Sequence, residues 1–291
     1  MKQLENRVAV ITGGASGIGR GMAHAFAREG MKLVIGDVER SALDEAVALH
    51  EAQGTEVVGV ECDVSSADSV ANLARQTLDA FGAVHVLCNN AGVSGSSTGH
   101  AIWEASADEW DWVMGVNLMG VVHCNRSFVP IMIEQDTEGH IVSTASIAGL
   151  IPGAGVYGIT KHAVVALSES LWNDLRDRGT KLKASVLCPG WVNTRIMQSE
   201  RNRPEAPREE LSEQSAARGE MMRETVEGLI QAGLDPAEVG RMVVDAVKRE
   251  RFYILTHPWN EMIEQRVENV LQDRDPIGIA PADGKWLPSN E

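Results

Sequence analysis

A β-branched run that ends in a glycine-rich turn and passes straight into a helix leaves a chain few folds to choose from. Residues 7–12 read RVAVIT, and Thr12-Gly-Gly-Ala-Ser-Gly-Ile-Gly19 follows at once. A helix is expected over 18–29, with Gly30 as its stop. Glycines let the backbone come close to a phosphate. The helix N-terminus adds free N–H groups at the positive end of its dipole. The spacing is Gly13-x-x-x-Gly17-x-Gly19, not the more familiar G-x-G-x-x-G.

The same alternation runs down the chain. Strands are expected at 32–37, 55–62, 85–88, 140–145, 182–188 and 251–256. Helices are expected at 41–53, 67–81, 107–134, 157–177, 236–249 and 261–272. Ser41 or Arg40 is the expected N-cap of the second helix, and Asp235 with Pro236 opens the one at 236. This order implies an α/β chain: a Rossmann-type, doubly wound parallel sheet of about seven strands with helices on both faces. Apolar residues make up 44% of the 291, and no Pro/Ser-rich linker divides them, so one domain is expected.

Chemistry is concentrated between Ser146 and Lys161. Tyr157 and Lys161 are four apart and share a helix face. Ser146 ends an apolar run, and the loop with Gly149, Pro152, Gly153 and Gly155 can fold it back over Tyr157. A free tyrosine, with a pKa near ~10, is a poor base at neutral pH. A nearby ammonium favours the phenolate, and a serine hydroxyl can donate to an oxygen on which charge develops. The set suits proton transfer to or from an alcohol. Asp37 ends the second strand, eighteen residues after Gly19, where a carboxylate can accept from ribose hydroxyls and repel a 2′-phosphate.

Together these motifs resemble the short-chain dehydrogenase/reductase family, in the family's order over about residues 5–195. The resemblance implies catalytic roles for Asn117, Ser146, Tyr157 and Lys161. It implies that Gly13, Ser16, Gly17, Ile18 and Gly19 cradle the cofactor, with Asp37 on the adenosine ribose and Asp63-Val64 at the adenine. It gives Asn90, Ala91 and Gly92 of the N-N-A-G box a close approach to the cofactor, and Pro189, Gly190, Val192 and Thr194 the nicotinamide end. The family's Asn at 117 bends its helix and holds a water near the Lys; a mid-helix Asn is otherwise unfavourable. Tyr157 and Lys161 are also expected to touch the cofactor. The expected cofactor is NAD. Arg40 alone argues for NADP and a carbonyl reductase, and a non-catalytic dinucleotide-binding protein is the remote alternative.

The loop from Ser146 to Tyr157 is shorter than the family's usual one, which bears on the substrate pocket. Beyond 195 the resemblance thins. Residues 195–235 are expected to form a substrate lid, and 236–291 a C-terminal helix, strand and tail. Met221 and Met222 either line the cavity or sit in the core, and Trp191 either walls the pocket or packs on the sheet edge. The expected substrate is a bulky apolar secondary alcohol or ketone of steroid, terpenoid or aryl type. The resemblance also implies a homo-oligomer, a tetramer or dimer, through the helices at 107–134 and 157–177.

A net charge of −15 and a pI of about 5.0 argue against nucleic-acid and anionic-membrane partners. Cys62, Cys88, Cys124 and Cys188 form no Cys-x-x-Cys pair, and the eight histidines show no ligand spacing, so no metal site is expected. No segment reads as a signal peptide or approaches the roughly 20 apolar residues of a membrane span, which points to the cytoplasm.

Overall fold

The computed structural model describes residues 1–96, 101–204 and 213–276. Among the described residues seven strands form one parallel sheet: β1 (Val8–Thr12), β2 (Lys32–Asp37), β3 (Val57–Glu61), β4 (Val86–Asn89), β5 (Gly139–Thr144), β6 (Leu182–Cys188) and β7 (Tyr253–Leu255). Their order is β3-β2-β1-β4-β5-β6-β7. The direction of winding reverses between β1 and β4, so the loops leaving these two strands part and open a crevice. The Gly-rich turn leaves β1, and the N-N-A-G box begins at the end of β4.

The helices are α1 (Gly17–Arg28), α2 (Arg40–Ala52), α3 (Ala67–Phe81), α4 (Ala107–Met114), α5 (Gly120–Glu134), α6 (Gly155–Asp177), α7 (Glu213–Gln231), α8 (Pro236–Arg249) and α9 (Asn260–Leu271). All five residues of β1 are buried, as a strand covered on both faces requires. Ala9 and Ile11 pack with Met22 and Phe26 of α1, Leu43 of α2 and Val243 of α8. Val8 and Val10 point the other way, into Leu73 of α3, Phe128 of α5 and Leu175 of α6. Each fully buried Phe contributes about 1.5–3 kcal/mol. Among the described residues no helix is long and apolar enough to cross a membrane.

Two local expectations are corrected. The N-cap of α2 is Glu39, not Ser41 or Arg40, and its side chain makes no capping bond. Asp37 Oδ1 instead accepts from Glu39 N–H at 3.1 Å, which shapes the entry to the helix. The expected single helix over 107–134 is broken by a π-helical turn, Gly115–Met119, in which Gly120 N–H bonds back to the Gly115 carbonyl. The loop at 97–100, the acidic part of the lid at 205–212 and most of the tail lie outside the described residues.

Candidate active site

Ser146 follows β5 and caps a short 3-10 turn, Ile147–Gly149, its Oγ accepting from Ala148 N–H at 3.1 Å. The turn is pinned on two sides. Ile147 N–H donates to the Pro189 carbonyl at 2.9 Å. Gly149 packs so closely on α6 that a Cβ there would lie 2.5 Å from the Lys161 carbonyl oxygen. Gly153, with φ +111°, and Ala154, with φ +61°, then turn the short loop into α6. The loop thus sets Ser146 beside Tyr157, both lining one cavity.

Lys161 is almost fully buried and its Nζ donates to the Thr144 carbonyl at 3.0 Å. It also lies 5.5 Å from the centre of the Tyr157 ring. Burial pulls the Lys161 pKa down to about 8. Burial pushes the Tyr157 phenol up from its ordinary value, against the lowering effect of the nearby Ser146 hydroxyl. Burial is the largest of these effects on the phenol. The ammonium is aimed at Thr144, and burial weakens its own hold on charge.

Asn117 sits in the π turn with no exposed surface. Its Oδ1 accepts from Val93 N–H at 2.8 Å, and its Nδ2 donates to the Val93 carbonyl at 2.9 Å and to Thr160 Oγ1 at 3.0 Å. Thr160 Oγ1 donates in turn to the Tyr157 carbonyl at 2.7 Å. This clasp explains why helix geometry yields at Asn117. Its side chain faces inward to the loop after β4, and the backbone takes an extra residue to let it do so. A Cβ on Gly92 would lie 3.2 Å from Asn117 Oδ1 and 3.3 Å from Lys161 Nζ, so Gly92 covers both.

A cavity of about 920 Å³ runs from this cluster along the crevice. Ser146, Tyr157 and Lys161 line it, as do Gly13, Ser16, Gly17, Ile18, Asp37, Asp63, Val64, Asn90, Ala91, Gly92, Pro189, Gly190, Val192 and Thr194. Asn117 and Gly19 do not line it. Gly19 instead lets α1 press on the turn, since a Cβ would sit 2.1 Å from the Gly13 carbonyl oxygen. Ser16, the N-cap of α1, makes no side-chain capping bond, which leaves the helix N-terminus able to take a phosphate. Gly13 and Gly17 have φ of +60° and +50°, and a Cβ on Gly13 would meet Ala91 Cα at 2.9 Å.

Asp37 is buried, and its Oδ2 accepts from Ala15 N–H at 3.0 Å, so it braces the Gly-rich turn as well as ending β2. Burial raises its pKa, and the backbone donors of Glu39 and Ala15 partly oppose that. Asp63 Oδ1 accepts from Ser65 N–H and Oγ, while Ser66, not Asp63, caps α3. Thr12 Oγ1 accepts from the N–H groups of Asn90 and Ala91, and Asn90 Nδ2 donates to the carbonyls of Thr12 and Gly13. These bonds tie the two crevice loops together.

Sequence reasoning missed part of the wall. Trp259 and Met262 of the C-terminal segment face the cavity, and Trp191 packs edge-on against Trp259 with ring centres 6.0 Å apart. Trp191 is thus both pocket wall and packing partner. Met222 lines the cavity, whereas Met221 is 72% exposed. Arg201 and Asn202, in the 3-10 turn Ile196–Asn202, also face it. Arg40 does not; it is exposed and paired with Asp44 at 2.9 Å. No local pattern marks these wall residues, because they reach the site only through tertiary folding. Among the described residues, no cluster of three or more His, Cys, Asp or Glu could hold a metal ion.

A crevice at the winding reversal, faced by a Gly-rich turn and a Ser, Tyr and Lys triad, defines a nucleotide-linked oxidoreductase class. Residues 7–205 match the model of the short chain dehydrogenase family, and the chain belongs to that family. It is similar to a short chain dehydrogenase/reductase from Burkholderia phymatum, solved in complex with NAD, at 42% identity and a TM-score of 0.90, covering 97% of this chain and 100% of that one. It is 35% identical to a CLA biosynthesis dehydrogenase/reductase of Lactiplantibacillus plantarum over 95% of this chain and 97% of the relative. A 1-deoxy-11-beta-hydroxypentalenate dehydrogenase of Streptomyces exfoliatus is 40% identical over 67% of this chain and 70% of its own length.

Proposed function

We propose that the protein is an NAD-dependent oxidoreductase that interconverts a bulky, apolar secondary alcohol and its ketone. The observation that carries this reading is the convergence of Ser146, Tyr157 and Lys161 at one end of a cavity whose other end holds Asp37. When bound, the nicotinamide supplies the hydride acceptor or donor. Tyr157 holds the proton of the substrate oxygen, taking it in oxidation and returning it in reduction. Ser146 donates a hydrogen bond to the same oxygen and steadies its developing charge. Lys161, beside the Tyr157 ring, would hold the nicotinamide ribose. Asn117 acts through others: it holds Val93 and Thr160, and through Thr160 the backbone of Tyr157.

NAD over NADP is supported by the buried carboxylate of Asp37, by the pairing of Arg40 with Asp44 outside the cavity lining, and by the NAD bound to the Burkholderia protein. An apolar substrate is supported by a wall of Ile147, Ile151, Trp191, Met222, Trp259 and Met262, and by the hydroxypentalenate named for the Streptomyces relative. Assembly through the helices at 107–134 and α6 is supported by Met119, Ile133 and Ile159, which expose 39%, 40% and 44% of their surface.

The test is reduced-nicotinamide formation with NAD and NADP side by side over a panel of secondary alcohols. Turnover of a bulky class with NAD is expected. Turnover with NADP alone overturns the Asp37 reading. Tyr157→Phe abolishes turnover and leaves nucleotide binding intact; near-normal turnover in that variant rules out its role as the base.

A further inference from the structure

Two carboxylates, not one, face the end of the cavity that the proposed function assigns to adenosine. Asp37 ends β2, and Glu39 lies two residues on, at the N-cap of α2. Both line the cavity. Opposite them the 3-10 turn Ile196–Asn202 carries Arg201 and Asn202, which line the same space. The two walls meet at one atom. Glu39 Oε1 accepts from Arg201 Nε at 3.1 Å, from Arg201 Nη2, and from Asn202 Nδ2 at 3.1 Å. The Arg201 guanidinium holds the Glu39 carboxyl below its ordinary range, so the pair is ionised across physiological pH.

Arg201 is oriented from its own turn as well. Its Nη1 donates to the carbonyls of Gln198 at 2.8 Å and Arg195 at 3.3 Å. These bonds do not involve Glu39. Removing the Glu39 charge therefore leaves a guanidinium whose Nε and Nη2 edge still points at the cavity wall, a ready fork for a phosphate. With Glu39 in place that edge is filled by a carboxylate, and a 2′-phosphate would meet Glu39 as well as Asp37.

We propose that Glu39 and Arg201 form a second discriminator between NAD and NADP, in which Glu39 occupies an arginine that would otherwise bind the 2′-phosphate. The inference rests on the NAD reading above. It assigns NADP competence to an arginine 162 residues away from Glu39 in sequence, and not to the neighbouring Arg40, whose guanidinium is taken up by Asp44 on the outer face of α2.

The experiment compares kcat/KM for NADP and NAD in wild type, Asp37→Ser, Asp37→Ser with Glu39→Gln, and the triple variant that adds Arg201→Met. The affinities of 5′-AMP and 2′,5′-ADP are measured by calorimetry on the same proteins, a readout that survives loss of turnover. Removing Glu39 in the Asp37→Ser background raises the NADP-to-NAD ratio, and the preference for 2′,5′-ADP, at least tenfold further. Adding Arg201→Met returns both to the Asp37→Ser level. A double variant no better than Asp37→Ser overturns the role of Glu39. A triple variant that keeps the gain overturns the role of Arg201. Glu39→Gln alone, measured with 2′,5′-ADP, carries the same test if the multiple variants fail to fold. A wild type that prefers NADP fails the NAD reading itself, which is a different outcome from either of these.

Discussion

Lys161 Nζ and the Thr144 carbonyl are joined by a buried 3.0 Å hydrogen bond, and this bond links α6 to the end of β5. The lysine beside it is held at a pKa of about 8, against an ordinary value of 10.5, by burial. Below pH 8 the side chain is charged in both the folded and unfolded chain, and folding bears the whole cost of burying the charge. Between 8 and 10.5 the unfolded chain binds the proton and the folded one does not, so the cost fades and stability rises with pH. Other groups titrate in this range, so the difference between wild type and Lys161→Met isolates the effect. That difference shifts in favour of wild type by roughly 3 kcal/mol from pH 8 to 10.5. Urea unfolding of both proteins at several pH values checks it; a flat difference would refute the assignment.

Asn117→Ala is expected to lose both stability and turnover. The substitution leaves the N–H and carbonyl of Val93 without their Asn117 partners in a buried place, and takes from Thr160 Oγ1 the donor that holds it. The cost is about 2–4 kcal/mol. Because Thr160 holds the Tyr157 carbonyl, kcat falls by more than nucleotide affinity does. Equal losses in the two would mean that Asn117 supports the fold alone.

Much of this fold can be read from local pattern. The bounds of β2, α3 and β6 coincide with their apolar runs and stops, because a β-branched run or a Gly such as Gly82, with φ +70°, settles the backbone on its own. The Ser146, Tyr157 and Lys161 cluster was legible because two of its members share one helix turn. What was not legible depends on distant chain. Ser41 has the residue type of an N-cap, yet the bond from Glu39 N–H to Asp37 starts the helix earlier. The sequence marks Asn117 as awkward in a helix, but only its clasp on Val93 explains the π turn. Arg40 drew attention because it lies near Asp37 in sequence, while the arginine that faces the same cavity is Arg201, held by Glu39.

The crossing of α1 and α8 makes a third prediction. A Cβ on Gly240 would stand 2.1 Å from the Gly21 carbonyl oxygen, and a Cβ on Gly21 would stand 2.1 Å from the Pro236 carbonyl oxygen. Two glycines thus let two backbones touch, and α8 in turn sets the loop at Val192, which bridges Leu234. Gly240→Ala forces the helices apart and costs about 1–3 kcal/mol. The displacement reaches the Gly-rich turn through α1, so nucleotide affinity falls with stability. Calorimetry of NAD binding alongside thermal unfolding reads both.

The four cysteines supply the last prediction. All are buried and free. Burial pushes Cys62 up to about 11 and Cys188 up to about 12, and raises Cys88 and Cys124 further. Cys188 lies close enough to Lys161 for the ammonium to favour its thiolate, but burial outweighs that pull. Since the thiolate is the reactive form, the folded protein presents no ready nucleophile among its cysteines. At pH 8 an aromatic disulfide reagent is expected to titrate less than one thiol per chain in buffer and all four in denaturant. Prompt reaction of one thiol in the folded protein, lost in Cys188→Ala, would mean that Lys161 prevails over burial and that the active-site end of β6 opens to solvent.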